Sequence, residues 1–504
     1  GTIGLRAFKR LERFSCISGI AQIKGRLGPK QKDKDRMIYA PFVKHVSLPL
    51  YHWWHGSDLI RNIRTFERSQ WLSQERLKAM QWERLSRLLE HAYQHVPYYQ
   101  EKFKEMGAEP RDFRSFEDFA KFPTMTKRTL QERLADLTAS NIPRAELAKG
   151  ITSGSSGQPT TYIQEKSSNR IRTAAGKRLT GIAGYELGQK LFYLWRDSPF
   201  VIEGDQVRLA TGTHQAPSSG LAKLKQAIHA RVGVDNQTLR VDPTLMTEPE
   251  MGTMYKRLRA FQPDVVISYV STLYMFAQYM EANGLGDVAP RSVIVSSETL
   301  YPHQRELLER VFGCPVYNRY GLSETGIVAI ECPVREGLHL NQEILHMESI
   351  ADSAGNRQLI VTDLINRGMP LLRYETGDTG RVIEEQCTCG RGLSRIVDLS
   401  GRIIDQLPTR MGGYVNGQLF ATFHWIEGVK QYQVIQEKLD TFKIRIVRAS
   451  SFAEKNLAPM LQTIHERFGP DTSIDVEYVE HIPFTRGGKY KLVVSEVKMQ
   501  EAPR

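Results

Sequence analysis

The chain of 504 residues is 41% hydrophobic and 25% charged, the balance of a globular protein of more than one domain. No apolar run is long enough to cross a bilayer and no signal-peptide pattern appears, and five irregularly spaced cysteines do not form a secreted disulfide framework, so a cytoplasmic protein is expected. The formal charge is +12, and residues 1–36 supply seven of it, with ten basic against three acidic side chains. Such a leader reads as a solvated tail, with weak contact to an anionic membrane surface as its other use. No nucleic-acid motif accompanies it, so no nucleic-acid partner is expected.

In chain order, Leu77, Met80, Leu85, Leu88, Leu89 and Ala92 share one face and predict a helix over 73–96, with Ser73 as its cap and Pro97 as its limit. His91 and His95 stand four apart on it, a metal-ligand spacing, but with no third ligand nearby in sequence they read as exposed or capping residues. A second helical stretch ends near Gly107, and a third is expected over 116–137, broken at Pro123.

The stretch Thr152-Ser153-Gly154-Ser155-Ser156-Gly157-Gln158-Pro159-Thr160 follows. Its glycines let backbone approach a ligand, its hydroxyls add donors, and successive N–H groups can form an anion nest suited to a nucleotide triphosphate. It is not a Walker A loop, and by itself it reads equally as a flexible surface loop.

Beyond it the pattern turns α/β. Short apolar strands are expected at 191–195, 265–268 and 293–296, then a helix over 303–312 and a strand at 315–317. That is a parallel crossover, whose ligands bind past the carboxyl ends of the strands, where Ser297-Glu298 and Arg319–Glu324 lie. Strands at 359–362 and 380–383 are assigned to a smaller β region. The end of the chain predicts a hairpin of 431–436 with 441–447, a helix to Phe468 with Pro459 as an irregularity, and a last strand at 474–478. The expected divisions are a basic leader over 1–70, a large α/β domain with mixed sheets flanked by helices over 71–400, and a small mobile α+β domain over 401–504.

Four further stretches carry chemistry. They are Tyr317-Asn318-Arg319-Tyr320-Gly321-Leu322-Ser323-Glu324-Thr325, then Arg373-Tyr374-Glu375-Thr376-Gly377-Asp378, then Gly401-Arg402-Ile403-Ile404-Asp405, and last Pro483-Phe484-Thr485-Arg486-Gly487-Gly488-Lys489. Each taken singly is ordinary turn chemistry. In this order, with Val96-Pro97-Tyr98-Tyr99, Phe261-Gln262-Pro263-Asp264, Met369-Pro370-Leu371-Leu372 and Cys389-Gly390-Arg391, the set resembles the adenylate-forming (acyl- and aryl-CoA ligase) superfamily, nearest its phenylacetate–CoA ligase branch with the CapK-like capsular-polysaccharide members.

The resemblance implies ATP, Mg²⁺ and a carboxylic acid as ligands. The loop 152–159 (Thr152, Ser153, Gly154, Ser155, Ser156 and Gly157) would hold phosphates, and Tyr320, among Ser297, Glu298, Asn318, Arg319 and Gly321, would flank adenine. Glu324 would be the Mg²⁺ ligand, Asp378 the ribose acceptor, Arg402 a nucleotide contact from the linker, and Lys489 the mobile-domain lysine between carboxylate and α-phosphate. One departure stands two residues after Arg402, where Ile404 replaces the usual Asp or Lys, leaving the hinge unassigned. The reaction implied is acyl-adenylate formation with pyrophosphate release and transfer to coenzyme A. Transfer to an amine on a sugar or amino acid is the alternative, and a non-catalytic nucleotide-binding partner protein is a third. Joining anions at the α-phosphate asks for neutralisation and alignment rather than a protein nucleophile, which suits this residue set.

Cys332, His339, Cys387 and Cys389 make a Cys₃His composition of the kind zinc uses in closed structural sites. From the residues alone, surface and buried cysteines with an unrelated histidine fit equally. Members of the resembled branch with this pattern bind zinc there, so a structural zinc is the expectation.

Overall fold

The computed structural model describes residues 58–151, 160–195, 200–203, 206–209, 238–243, 246–351, 357–400, 406–410, 414–416, 420, 423, 426–483 and 491–497. The loop 152–159, the stretch 401–405 with Arg402, the stretch 484–490 with Lys489, and residues 1–57 of the basic leader lie outside the described residues.

Helices come first: α1 (Leu59–Ser69), α2 (Gln74–His95) and α3 (Pro97–Met106). Apolar spacing on α2 buries Leu77, Leu85, Leu88, Leu89 and Ala92, as expected. Proline opens α3, where its missing N–H costs nothing, and Gly107 closes it at φ +62. The helical stretch expected over 116–137 does break at Pro123, but each side is short: Ser115 caps a helix at Phe116–Phe119, and Thr126 caps another at Lys127–Glu132, each through its side-chain oxygen. Two capping hydroxyls on either side of Pro123 restart the chain rather than bend it.

The hairpin β1 (Leu147–Ile151) and β2 (Thr161–Glu165) flanks the stretch 152–159, pairing Ile151 with Thr161. Then follow α4 (Lys166–Ile182), β3 (Leu191–Leu194), β4 (Thr238–Val241), α5 (Glu248–Phe261), β5 (Val265–Tyr269), α6 (Val270–Ala282), β6 (Ser292–Ser296), α7 (Pro302–Phe312) and β7 (Val316–Leu322). An antiparallel run continues as β8 (Gly326–Glu331), β9 (Leu338–Leu340), β10 (Leu345–Ala351), β11 (Arg357–Asp363), β12 (Tyr374–Ile383) and β13 (Arg395–Ser400).

All of these strands except β1 and β2 form one 11-stranded sheet in the order β10-β11-β12-β13-β9-β8-β7-β6-β5-β3-β4. The strands from β4 to β7 pair in parallel and the rest antiparallel. The strands expected at 359–362 and 380–383 therefore belong to the main sheet's antiparallel end, not to a separate β region. β5 and β6 are buried at every residue because helices cover both faces of the parallel half. Phe192, Val266, Val293 and Val316 pack with α5, α6 and α7, while Leu191, Val265, Ile267 and Tyr317 pack with the end of α4.

A separate four-stranded sheet closes the chain, from β14 (Val429–Lys438), β15 (Thr441–Arg448), β16 (Ser473–Tyr478) and β17 (Val493–Ser495), with α8 (Ala458–Phe468) before β16. Its core, including Val434, Phe442, Ile444, Met460 and Phe468, is distinct from the cores of the large sheet. Pro459 is no irregularity, since it sits in the first turn of α8. β17, too short to stand out in sequence, adds parallel to β14.

Candidate active site

β7 runs past its expected end at residue 317 to Leu322, and the chain reverses through Ser323, Glu324 and Thr325 into β8. Gly321 is thus not the turn glycine. Its bare Cα gives room to the Gly326 carbonyl, which a Cβ would approach to 3.2 Å. Gly326 makes the turn, at φ +82, and a Cβ there would meet Arg172 Cδ at 2.7 Å. Arg172 is itself fixed by a buried ion pair with Asp363 at 2.5 Å, so the turn is braced from α4 and β11 together.

The reversal buries Glu324. Tyr374 Oη donates to Glu324 Oε1 at 3.2 Å, and Gln164 Nε2 donates to the Glu324 main-chain carbonyl at 2.9 Å. The adjoining Thr325 hydroxyl is buried with no hydrogen-bond partner among the described residues.

Asp378 reaches the same region from a bulge. Between the pairs Ile360–Glu375 and Gln358–Thr379, β12 carries three intervening residues against one on β11. Gly377 takes φ +76 within it, and Thr376 Oγ1 accepts from the Asp378 N–H at 3.1 Å while donating to the Leu359 carbonyl at 2.9 Å. Tyr320 Oη donates to Asp378 Oδ2 at 2.6 Å. Two phenols thus hold two buried carboxylates, Tyr320 on Asp378 and Tyr374 on Glu324.

Tyr374 and its neighbour Arg373 carried the sequence resemblance but received no role there. Arg373 has φ +48, its Nε and Nη2 donate to Glu348 at 3.1 and 3.0 Å, and Nη1 donates to the carbonyls of Ala120 and Phe122. Burial raises the Glu348 carboxyl above its ordinary value, against the opposing pull of Arg373. Buried arginine and strained backbone together fix where Tyr374 starts its strand.

The strand ends β5 and β6 are tied to each other. Ser297 has φ +72, and both Glu298 carboxylate oxygens accept from Ser271, from its N–H at 2.7 Å and its Oγ at 2.9 Å, at the start of α6. Asn318 holds register through its N–H, which donates to Glu331 Oε2 at 2.7 Å. Arg319 pairs with Ser296 across the sheet, and its guanidinium carbon lies 5.8 Å from the ring of Trp195. Trp195 stacks on Tyr269 at 4.0 Å between centroids. Trp195 was legible only as the end of a strand.

The cysteine cluster forms at the opposite ends of β8 and β12. Cys332 follows β8, His339 lies on β9, and Cys387 and Cys389 follow β12. One ligand atom from each lies within 4.8 Å of all the others. Cys332 Sγ stands 3.8 Å from Cys387 Sγ, and Cys389 Sγ 3.3 Å from His339 Nε2. Zinc bonds of about 2.3 Å to sulfur and 2.0–2.1 Å to nitrogen place tetrahedral ligand atoms roughly 3.5–3.8 Å apart, so the spacing fits. His339 Nδ1 lies 3.4 Å from the Leu393 carbonyl, which orients Nε2 into the cluster. Burial pushes the imidazole down to about 4, keeping it neutral as a ligand must be. Gly392 N–H donates to the Gln70 carbonyl at 3.0 Å, and a Cβ at Gly392 would fall 1.8 Å from the Leu72 carbonyl, so the cluster is seated directly on the segment between α1 and α2.

His91 and His95 gather no further metal ligands among the described residues. Their rings lie 5.2 Å apart, and His91 Nε2 contacts the Arg367 carbonyl at 3.0 Å. No described helix is long and apolar enough to cross a membrane.

A family model described as the CapK C-terminal domain matches residues 407–496. The phenylacetate–coenzyme A ligase of Thermus thermophilus is 27% identical over 399 residues, covering 76% of this chain and 83% of that protein. Protein CapK of Staphylococcus aureus is 29% identical over 248 residues, covering 48% of this chain and 55% of that protein. Among solved structures, 2-hydroxyisobutyryl-CoA ligase in the postadenylation state superposes with a TM-score of 0.64 at 18% identity, over 85% of this chain and 91% of that one, which establishes the shared fold.

Proposed function

Since the chain belongs to the adenylate-forming superfamily, within its phenylacetate–coenzyme A ligase and CapK branch, we propose that it activates a carboxylic acid with ATP, releases pyrophosphate and passes the acyl group to coenzyme A. The observation that carries this is the paired arrangement Tyr320–Asp378 and Tyr374–Glu324, gathered by the β7–β8 reversal and the β12 bulge. Asp378 would accept from ribose hydroxyls, with Tyr320, which donates to it, as the adenine flank. Glu324 offers a hard oxygen donor for Mg²⁺, and the orphaned Thr325 hydroxyl adjoins it. Bound there, Mg²⁺ would neutralise phosphate charge during attack at the α-phosphate.

Within this reading the loop 152–159 cradles the phosphates, Arg402 contacts the nucleotide, and Lys489 joins carboxylate to α-phosphate when the part beyond residue 400 closes over the rest. Cys332, His339, Cys387 and Cys389 hold a zinc ion. Four protein ligands leave no position for water, so its work is structural.

The test is pyrophosphate release across aryl, fatty and amino acids, each with coenzyme A or with amines. Thioester accumulating only with coenzyme A is the expected result. Product that requires an amine would move the chain to the alternative acceptor. Nucleotide binding without pyrophosphate release for any acid would overturn activation itself.

A further inference from the structure

Arg319 differs from the other buried arginines. It is 9% exposed, yet no carboxylate pairs with its guanidinium among the described residues, while other buried arginines here are matched, Arg172 by Asp363, Arg178 by Glu343 and Arg373 by Glu348. A buried, unmatched guanidinium is costly, and a chain that keeps one has a use for it. Its surroundings are aromatic. Trp195 lies beneath the guanidinium and stacks on Tyr269, and Tyr193 is within electrostatic reach of it. Arg240 stands 4.8 Å from that same Tyr193 ring, which adds a second positive charge to the region. Trp195 and Tyr269 lie at the carboxyl ends of β3 and β5, and Arg319 is the last β7 residue in the parallel ladder with β6, directly before Tyr320.

We propose that Arg319, walled by Trp195 and Tyr269, binds a second carboxylate on the acid, so that the preferred substrate is a dicarboxylic acid, a proposal that rests on the carboxylate-activation reading above. The reacting carboxylate is a poor partner for this cation. Its oxygen forms a bond to the α-phosphorus, the bond from that phosphorus to the bridging oxygen breaks, and pyrophosphate leaves with the electron pair. A guanidinium held on the reacting group would stabilise the ground state and lose its partner as the anhydride forms. A carboxylate that takes no part keeps its charge through both half-reactions, and the ion pair persists. The aromatic walls exclude water and strengthen it.

The test compares glutarate and benzene-1,4-dicarboxylate with their monomethyl esters. Binding is measured by calorimetry and activation by pyrophosphate release, for the wild type, Arg319→Met and Arg319→Lys. The wild type should favour at least one diacid over its monoester by about tenfold or more, the scale of a hydrogen bond to a charged group. Arg319→Met should abolish or reverse that preference, and Arg319→Lys should keep part of it. Diacid preference in binding without pyrophosphate release supports the pocket and sinks activation instead. Equal binding of both diacids and their esters by the wild type, or an equal loss of both by Arg319→Met, overturns the proposal.

Discussion

β8 and β12 each carry chemistry at both ends, and the two ends are built differently. At one end, four soft or neutral donors from Cys332, His339, Cys387 and Cys389 face one another within 4.8 Å. At the other, Glu324 and Asp378 are buried but do not pair with each other; a phenol holds each instead. The first set is complete within itself and suits a permanent ion. The second presents two buried carboxylates, each accepting from a phenol, which suits ligands that come and go. One sheet thus carries the candidate metal cluster and the candidate active site on the same strands, separated by about 3.3 Å per residue of β-strand.

The contrast can be broken most severely at Glu324. Glu324→Gln keeps the shape and the Tyr374 contact but removes the charge, and pyrophosphate release should fall roughly a hundredfold or more with little change in Tm. A drop in Tm with intact turnover would make Glu324 a structural member like the cysteines. Next in size is Asp378→Ala, which should weaken ATP binding by about 1–3 kcal/mol in calorimetry, whereas Tyr320→Phe should cost about 0.5–1.5 kcal/mol. Equal losses would mean that Asp378 acts only as the anchor of Tyr320.

Cys389→Ser sharpens the comparison from the other end. It should lower the zinc content found by elemental analysis from about one ion per chain and lower Tm by on the order of 5–10 °C, given about 2–4 °C per kcal/mol in domains of 150–250 residues. Turnover per folded molecule at low temperature should be nearly unchanged. Full zinc content in this variant would remove Cys389 from the ligand set.

How much of this was legible follows from which signals are local. The apolar period on α2 and the buried parallel strands came through because burial is written in residue type. The closeness of Cys332 to Cys387 rested on the resemblance, since separation along the chain says nothing of which strand ends meet. The β12 bulge was invisible, because Thr376-Gly377 reads as an ordinary turn until β11 supplies the register against which three residues face one. The burial of Arg319 without a carboxylate partner among the described residues was not legible, because sequence does not tell a matched buried charge from an unmatched one. The break at Pro123 within 116–137 was legible, but the shortness of the two helices was not, because it depends on where the capping hydroxyls of Ser115 and Thr126 start them.

A further effect, read as a slope against pH, lies away from both ends, at His346 on β10, stacked 4.3 Å from Phe116. Burial, with the Arg373 charge adding to it, pushes this imidazole down to about 4, while an unfolded histidine titrates near 6.5. The unfolded chain therefore takes up a proton first as pH falls. Stability present above about pH 6.5 is lost toward pH 4, with a slope approaching about 1.4 kcal/mol per pH unit. Denaturant titrations at several pH values should show that slope shallower in His346→Gln.

Trp71 gives the candidate metal cluster an optical consequence. It is 53% exposed, and the Arg391 guanidinium lies 4.7 Å over its ring, two residues beyond Cys389. An indole half in water and half beneath a cation emits according to how firmly that cation is held. Arg391 is held by Gln70 Oε1 at 3.0 Å and by the turn that the cysteines close. Fluorescence difference spectra between the wild type and Trp71→Phe thus isolate a signal that follows metal release in real time, without labels and without any assay of turnover.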